Sequence, residues 1–217
     1  MFKKILTLLL TFTIILSFNL TYARELFLDV PEDDWAAPFI YNLADRGIVS
    51  GYGDGYFGRN NDVLRCEYAK MLVEISKTPI NQSSFSPYSD VPVYEWYFPY
   101  VTSSLSYMTG YQTGDGVLYF DPEAPASREV VTVAIVKALN LDVSNDKNTN
   151  EFLAEKFSDW ESISTHNRPY VAAAVKKGFI TGDQEGTFRP DAPIIRAEVA
   201  IVLQRAFPDG TTINPAS

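Results

Sequence analysis

Residues Gly51 to Glu67 read GYGDGYFGRNNDVLRCE, a stretch that gathers glycines, acids, an arginine and the chain's one cysteine. Three readings compete for it. A calcium loop of the EF-hand kind needs oxygen ligands at alternate positions and an acid closing the twelfth; here Tyr56 and Phe57 stand where ligands belong. A phosphate cradle needs a following Gly-Lys-Ser/Thr, which is missing. What remains is a tight turn whose glycines supply positive φ and whose Phe57 pins it to a core. No metal and no cofactor are expected. Nor is an enzyme: one histidine (His166), one cysteine (Cys66), no Gly-x-Ser-x-Gly and no metal-ligand spacing leave no catalytic set. Cys66 reads as a small packed side chain.

The same pattern returns twice. FLDVPEDDWAAPFIYNLADRGIVSGY, YSDVPVYEWYFPYVTSSLSYMTGY and FSDWESISTHNRPYVAAAVKKGFITG each open with an aromatic, a spacer and an aspartate: Asp29, Asp90, Asp159. Each reaches a proline (Pro38, Pro99, Pro169), and 27, 29 and 27 residues later an arginine: Arg65, Arg128, Arg196. An aromatic, Phe57, Phe120 or Phe188, precedes that arginine by eight residues every time. Repetition at a fixed period marks a repeat architecture.

Each unit reads as helix, glycine loop, helix. Proline suits a first helical turn, and apolar residues follow at helical spacing: Ile40, Leu43, Ala44; Val101, Leu105, Met108; Val171, Ala174, Val175. The second helix starts near the arginine, with an apolar stripe at Tyr68, Leu72, Ile75; Val131, Ile135, Ala138; Val199, Leu203, Ala206. Two such helices cannot close a core alone, so the expectation is an all-α fold, a pseudo-threefold, three-pronged six-helix body. The boundaries are a signal peptide at 1–23, repeats at 24–80, 85–141 and 154–208, and a frayed tail at 209–217. Ser76–Pro87 and Asp142–Glu151 read as polar linkers.

At the N-terminus, Lys3 and Lys4 precede an apolar run and the small-residue site Thr21-Tyr22-Ala23, the order of a secretory signal peptide cleaved after Ala23. A retained anchor is disfavoured because Thr7, Thr11, Thr13 and Ser17 break the run. Removing the two lysines leaves 16 basic against 27 acidic residues, a net charge of −11, which excludes nucleic acid as an expected partner.

Together these residues, aromatic-x-Asp-Val, a tryptophan, a Gly-Ile-Val-x-Gly-Tyr-x-Asp-Gly-x-Phe loop and x-Arg-x-Glu, resemble the S-layer homology (SLH) family over about residues 27 to 207. The resemblance implies a three-pronged helical module outside bacterial cells. It binds secondary cell-wall polysaccharide, often pyruvylated, or another peptidoglycan-linked polymer in grooves between prongs, and one arginine per copy reaches the ligand. The implied location is exported, at the cell wall or S-layer. Implied ligand residues are Arg65, Arg196 and Arg128, with Asp29, Trp35, Gly51, Tyr52, Asp54, Asp90, Trp96, Asp159 and Gly182. An alternative is a structural S-layer or envelope protein whose partners are other S-layer subunits.

The family's Thr-Arg-Ala-Glu motif is also a capping box, and no copy here has both halves: Leu64 and Ile195 lack the hydroxyl, and repeat 2 has Val130 where glutamate belongs. The arginine persists regardless, which favours a ligand role for it. The tryptophans read by default as core, and His166 as a degenerate tryptophan position. The expected order of importance is Arg65, Arg196, Arg128, because repeat 1 keeps the most motif residues and Glu129 lies beside Arg128. With the repeats filling the mature chain, a stand-alone adaptor, a competitor for wall sites and a gene fragment stay open.

Overall fold

The computed structural model describes residues 27–144 and 148–208; the expected signal peptide at 1–23 and the expected tail at 209–217 lie outside the described residues. In chain order the elements are α1 (Ala37–Asp45), α2 (Arg65–Ser76), α3 (Phe98–Ser103), β1 (Tyr111–Gln112), β2 (Leu118–Tyr119), α4 (Arg128–Ala138), α5 (Thr149–Lys156), a 3-10 turn (Trp160–Ser162), α6 (Arg168–Lys176) and α7 (Arg196–Ala206). The protein is mainly helical. Proline sits in the first turn of α1, α3 and α6, and α2, α4 and α7 each begin at the repeat arginine. All nine residues of the second-helix stripe are buried.

The helices do not pair within a repeat. The first helix of each unit packs on the second helix of the preceding one: α3 on α2, α6 on α4, and α1 on α7, which joins the first repeat to the last. The second helices α2, α4 and α7 form the centre, α4 packing against both others, and the buried Tyr68 hydroxyl donates across it to the Val131 carbonyl at 2.8 Å. At the heart of the ring three equivalent amides close a cycle. Val63 N–H donates to the Ile194 carbonyl (3.0 Å), Ile194 N–H to Ala126 (3.2 Å) and Ala126 N–H to Val63 (2.7 Å). Each repeat thereby satisfies the backbone of another, as buried amides require.

Two expectations need correction. Six helices were expected, but seven α-helices stand among the described residues, because α5 occupies the end of the second linker and packs on α6 through the buried Leu153. In repeat 2 the first helix stops at Ser103, leaving Leu105 36% exposed and Met108 buried beyond the helix. The cause is local: the Thr102, Ser103 and Ser104 hydroxyls donate back to the carbonyls of Phe98, Pro99 and Val101, competing with the helical pattern. The expanded repeat 2 loop forms the β1–β2 hairpin, with Tyr111 opposite Tyr119.

Candidate functional site: the inter-repeat grooves

The glycine loop is held from behind by an aspartate. Asp29 accepts from the amides of Phe57 (2.7 Å), Gly58 (2.8 Å) and Arg59 (2.8 Å); Asp90 accepts from Phe120 and Asp121; Asp159 accepts from Phe188 and Arg189. Burial alone would raise the Asp29 carboxyl, but the donors from Arg59, Phe57 and Gly58 outweigh it and hold it below the usual carboxylate range. All three aspartates point inward on backbone, and Asp54 caps its own turn at the Tyr56 amide (3.0 Å). Gly53, Gly55 and Gly58 do adopt positive φ. Gly51 and Gly182 are needed for another reason, close approach: a Cβ would lie 2.6 Å from the Tyr56 carbonyl oxygen at Gly51, and 2.7 Å from that of Thr187 at Gly182.

From in front, the loop is held by an arginine of another repeat. Arg65 donates through Nε to the Phe120 carbonyl (2.7 Å) and through Nη2 to Thr109 (2.9 Å). Arg128 reaches Phe188 (2.8 Å) and Thr181 (2.8 Å), and Arg196 reaches Phe57 (2.9 Å) and Ser50 (3.0 Å). The guanidinium also lies over the loop phenylalanine: 4.6 Å for Arg65 on Phe120, 5.6 Å for Arg128 on Phe188 and 4.6 Å for Arg196 on Phe57. Burial lowers the pKa of Arg65 and Arg128 from the ordinary 12.5, yet arginine remains charged at neutral pH.

The third guanidinium nitrogen distinguishes the junctions. Arg196 Nη1 lies 3.6 Å from Glu67 and Arg128 Nη1 lies 3.7 Å from Glu198. Each of these glutamates also accepts its own helix's first free amide, from Leu64 (3.1 Å) and Ile195 (3.4 Å). That is one half of a capping box. Repeat 2 keeps the other half, with the Ser127 hydroxyl accepting from Val130 N–H at 3.2 Å. Glu129, expected from its position beside Arg128 to compete for the guanidinium, accepts instead from the Ser164 amide (2.9 Å) and Asn167 Nδ2 (2.7 Å) in repeat 3.

Two grooves open at these junctions. One, about 270 Å3, has Arg128, Gly182, Glu198 and Arg205 along it and Trp35 on its far wall. The other, about 130 Å3, has Arg196, Gly51, Tyr52, Glu67 and Lys70, faced by Trp96. Trp35 and Trp96 are 54% and 53% exposed, not core residues. Tyr52 lies under the Arg196 guanidinium at 4.8 Å and donates to Glu67 at 3.1 Å; burial first, and the Glu67 carboxylate after it, push its hydroxyl pKa up. The residues assigned together from repeat 1 are therefore split: Trp35 faces Arg128, Gly51 and Tyr52 face Arg196, and Arg65 belongs to the repeat 2 loop. Sequence reasoning missed Glu67, Glu198, Lys70 and Arg205 as groove residues. The glutamate spacing was visible, but its second partner lies in another repeat.

Among the described residues no three His, Cys, Asp or Glu side chains gather as a metal cluster, and no helix is long and apolar enough to cross a membrane. Helix–loop–helix repeats closed into a ring, each loop held by an arginine of another repeat, define a cyclic repeat module. Residues 26–69 and 156–200 match the S-layer homology domain, so the chain carries that domain in its first and third repeats. Repeat 2 lies outside both matched segments, yet it takes the equivalent place in the ring.

The chain is 32% identical over 79% of its length to an amylopullulanase of Thermoanaerobacterium thermosulfurigenes, of which it covers 9%. It is 27% identical over 82% of its length to an S-layer protein of Bacillus thuringiensis subsp. finitimus, of which it covers 21%. Against Exoglucanase XynX of Acetivibrio thermocellus the figures are 30%, 79% and 15%. The chain thus spans about a tenth to a fifth of these relatives. S-layer homology domains mediate attachment to the cell wall, in S-layer proteins and in surface enzymes whose catalysis resides in other domains.

Proposed function

We propose that this chain is a non-catalytic, exported cell-surface module that holds to the cell wall by binding secondary wall polysaccharide, including pyruvylated forms, in its inter-repeat grooves. The observation that carries the reading is the pairing, in each of two grooves, of a fixed guanidinium with an exposed tryptophan. A flat apolar ring suits a sugar face, and a planar cation suits a carboxylate or phosphate on that sugar. The overall negative charge does not oppose this, since exposed charges beyond about 8 Å are largely screened at physiological salt. The relatives support it too: an amylopullulanase, an S-layer protein and an exoglucanase each match about four-fifths of this chain.

Assembly with other surface-layer subunits is a second reading, favoured by the adjacent exposed apolar side chains of Val93 and Tyr94. Sedimentation with purified sacculi, before and after removal of wall polysaccharide, separates the two. A wall binder pellets only with untreated sacculi; an assembly protein ignores the treatment.

A further inference from the structure

Repeat 2 carries a depression that shares no residue with either groove. It measures about 530 Å3 and lies where the end of the loop, with Asp121 and Glu123, meets the segment leading into α3, with Asp90, Pro92, Tyr94 and Tyr97. No basic side chain is among its described lining residues. A comparison of the repeats shows why. After the loop phenylalanine, repeat 1 has Gly58-Arg59 and repeat 3 has Arg189-Pro190, whereas repeat 2 has Asp121-Pro122. The backbone is alike in all three, with Gly58, Arg189 and Asp121 at positive φ. Arg59 pairs with Asp34 of its own repeat, and Arg189 with Asp183. Where the other two repeats place a cation, repeat 2 places an acid.

Two groups in the depression lack a partner. Tyr97 is only 6% exposed, yet its hydroxyl makes no hydrogen bond among the described residues, and the oxygen is not sealed within protein. Burial first, with the Glu95, Glu123 and Asp90 carboxylates adding to it, pushes that hydroxyl up to about 12, so it is uncharged at neutral pH. Glu123 is exposed and forms no ion pair among the described residues. Its backbone is fixed on both sides, since the Pro122 and Ala124 carbonyls accept from the amides of Cys66 and Arg65 at 2.9 Å each. The other two acids are engaged. Asp90 accepts from the Phe120 and Asp121 amides, and Asp121 faces the Tyr111 hydroxyl. The Arg65 guanidinium, which Asp121 and Asp90 attract, is tied to the Phe120 and Thr109 carbonyls and does not line the depression.

We infer that this depression binds an amino sugar by its free ammonium group, with Glu123 and the Tyr97 hydroxyl as acceptors and the exposed Tyr94 ring against the sugar. An ammonium has three donors and no acceptor, which matches a site of acceptors. A tyrosine face attracts a cation and covers the apolar face of a sugar ring. The volume falls within the roughly 300–1,000 Å3 of small-ligand sites; the thin methylene stem of a lysine would leave most of it empty. This site takes a ligand of opposite charge to that of the Arg128 and Arg196 grooves, so it stands independently of the wall-polysaccharide reading.

The test titrates the full chain by calorimetry with two probes that differ only at nitrogen, a glucosamine tetramer and its fully N-acetylated counterpart. The glucosamine tetramer is expected to bind about fivefold tighter or more, and Glu123→Gln to lose about three- to fivefold of that affinity, the scale of an exposed charge contact. Tyr97→Phe keeps the ring and should lose about two- to tenfold, the scale of one hydrogen bond. Glu185→Gln makes the same change of charge at an exposed position of the repeat 3 loop and should lose nothing, which separates the site from general attraction of a polycation to an acidic chain. Circular dichroism confirms that each variant is folded. Equal binding of the two tetramers overturns the proposal, as does a Glu123→Gln variant that behaves like Glu185→Gln. A trilysine peptide that binds as tightly as the glucosamine tetramer, with the same loss in Glu123→Gln, overturns the assignment to a sugar.

Discussion

Arg196 donates through Nε to the carbonyl of Phe57 at 2.9 Å, across 139 residues of sequence. The equivalent bonds from Arg65 and Arg128 each step forward to the next loop, across 55 and 60 residues. Of these three bonds, that of Arg196 alone steps back to the first repeat, alongside the packing of α1 on α7 and the Val63–Ile194 backbone bond. A linear repeat array leaves its two ends unsatisfied and needs caps. Here the last arginine serves the first loop, so the ring has no ends.

Arg196→Ala removes two carbonyl partners from a side chain only 4% exposed and leaves Glu67 without its cation. A loss of about 2–4 kcal/mol in unfolding free energy is expected by denaturant titration, given ~1.5–3 kcal/mol for each hydrogen bond to a charged group and partial relaxation. Arg196→Lys should recover little of it, because an ammonium cannot span the carbonyls of Phe57 and Ser50 as the fork does. Wild-type stability in the alanine variant would show that the closing bond is incidental.

A fragment of residues 24–80 should not fold alone. Its α1 is built to lie on α7 and its α2 on α3 and α4, so the fragment contains neither helix's partner. Circular dichroism of the isolated peptide is expected to show weak, non-cooperative melting. A sharp transition would contradict the cross-repeat packing.

Acid should unfold the ring through its loops. The Asp29 carboxyl, held below 3.8 by backbone donors against the opposing effect of burial, and Asp183, lowered by the Thr187 hydroxyl and amide, both have folded pKa values under the unfolded ones. The sign follows: their stabilisation is present above about pH 4 and is lost as pH falls through the folded values. The melting temperature should stay level from pH 7 to about 5 on this account and drop below about 4. Asp29→Asn should flatten part of that acid limb. An unchanged limb in the variant would assign acid lability elsewhere.

Much of this was legible in the sequence because its signals are local. A proline opening a first helix, an arginine opening a second, and stripes such as Tyr68, Leu72 and Ile75 depend on spacing alone. The partners were not legible, since repetition shows that Arg65, Arg128 and Arg196 are equivalent but not which loop each one serves. Grouping Arg65 with Trp35 followed chain proximity, whereas the fold joins Trp35 to Arg128. The α5 helix was hidden by the polar composition of its first turn, where Thr149 and Asn150 read as linker. The exposure of Trp35 and Trp96 was not legible, because a tryptophan's burial depends on what faces it, and here a groove does.

Calcium should be irrelevant to stability. The acids that might have held it are occupied by amides, Asp29 by three and Asp54 by that of Tyr56. A chelator is expected to leave the melting temperature unchanged. A fall of many degrees would require a site outside these loops.

Binding is best tested at the tryptophans, because alanine at an arginine removes loop support along with any ligand contact and so confounds the two roles. Trp35 and Trp96 are more than half exposed and sit at the groove walls, so their loss should cost the fold little. Each should cost a two- to tenfold loss of affinity for sacculi, about the 0.5–1.5 kcal/mol of an aromatic contact beyond its buried area. Trp35→Ala should weaken binding more than Trp96→Ala, since its groove is the larger, about 270 against 130 Å3. His166→Ala should matter least: it is an exposed residue at the equivalent position, without an indole. The measurement is sedimentation with sacculi across a concentration series, with melting curves to confirm equal stability. If both tryptophan variants pellet like the unmodified protein, the grooves are not where the wall polymer binds.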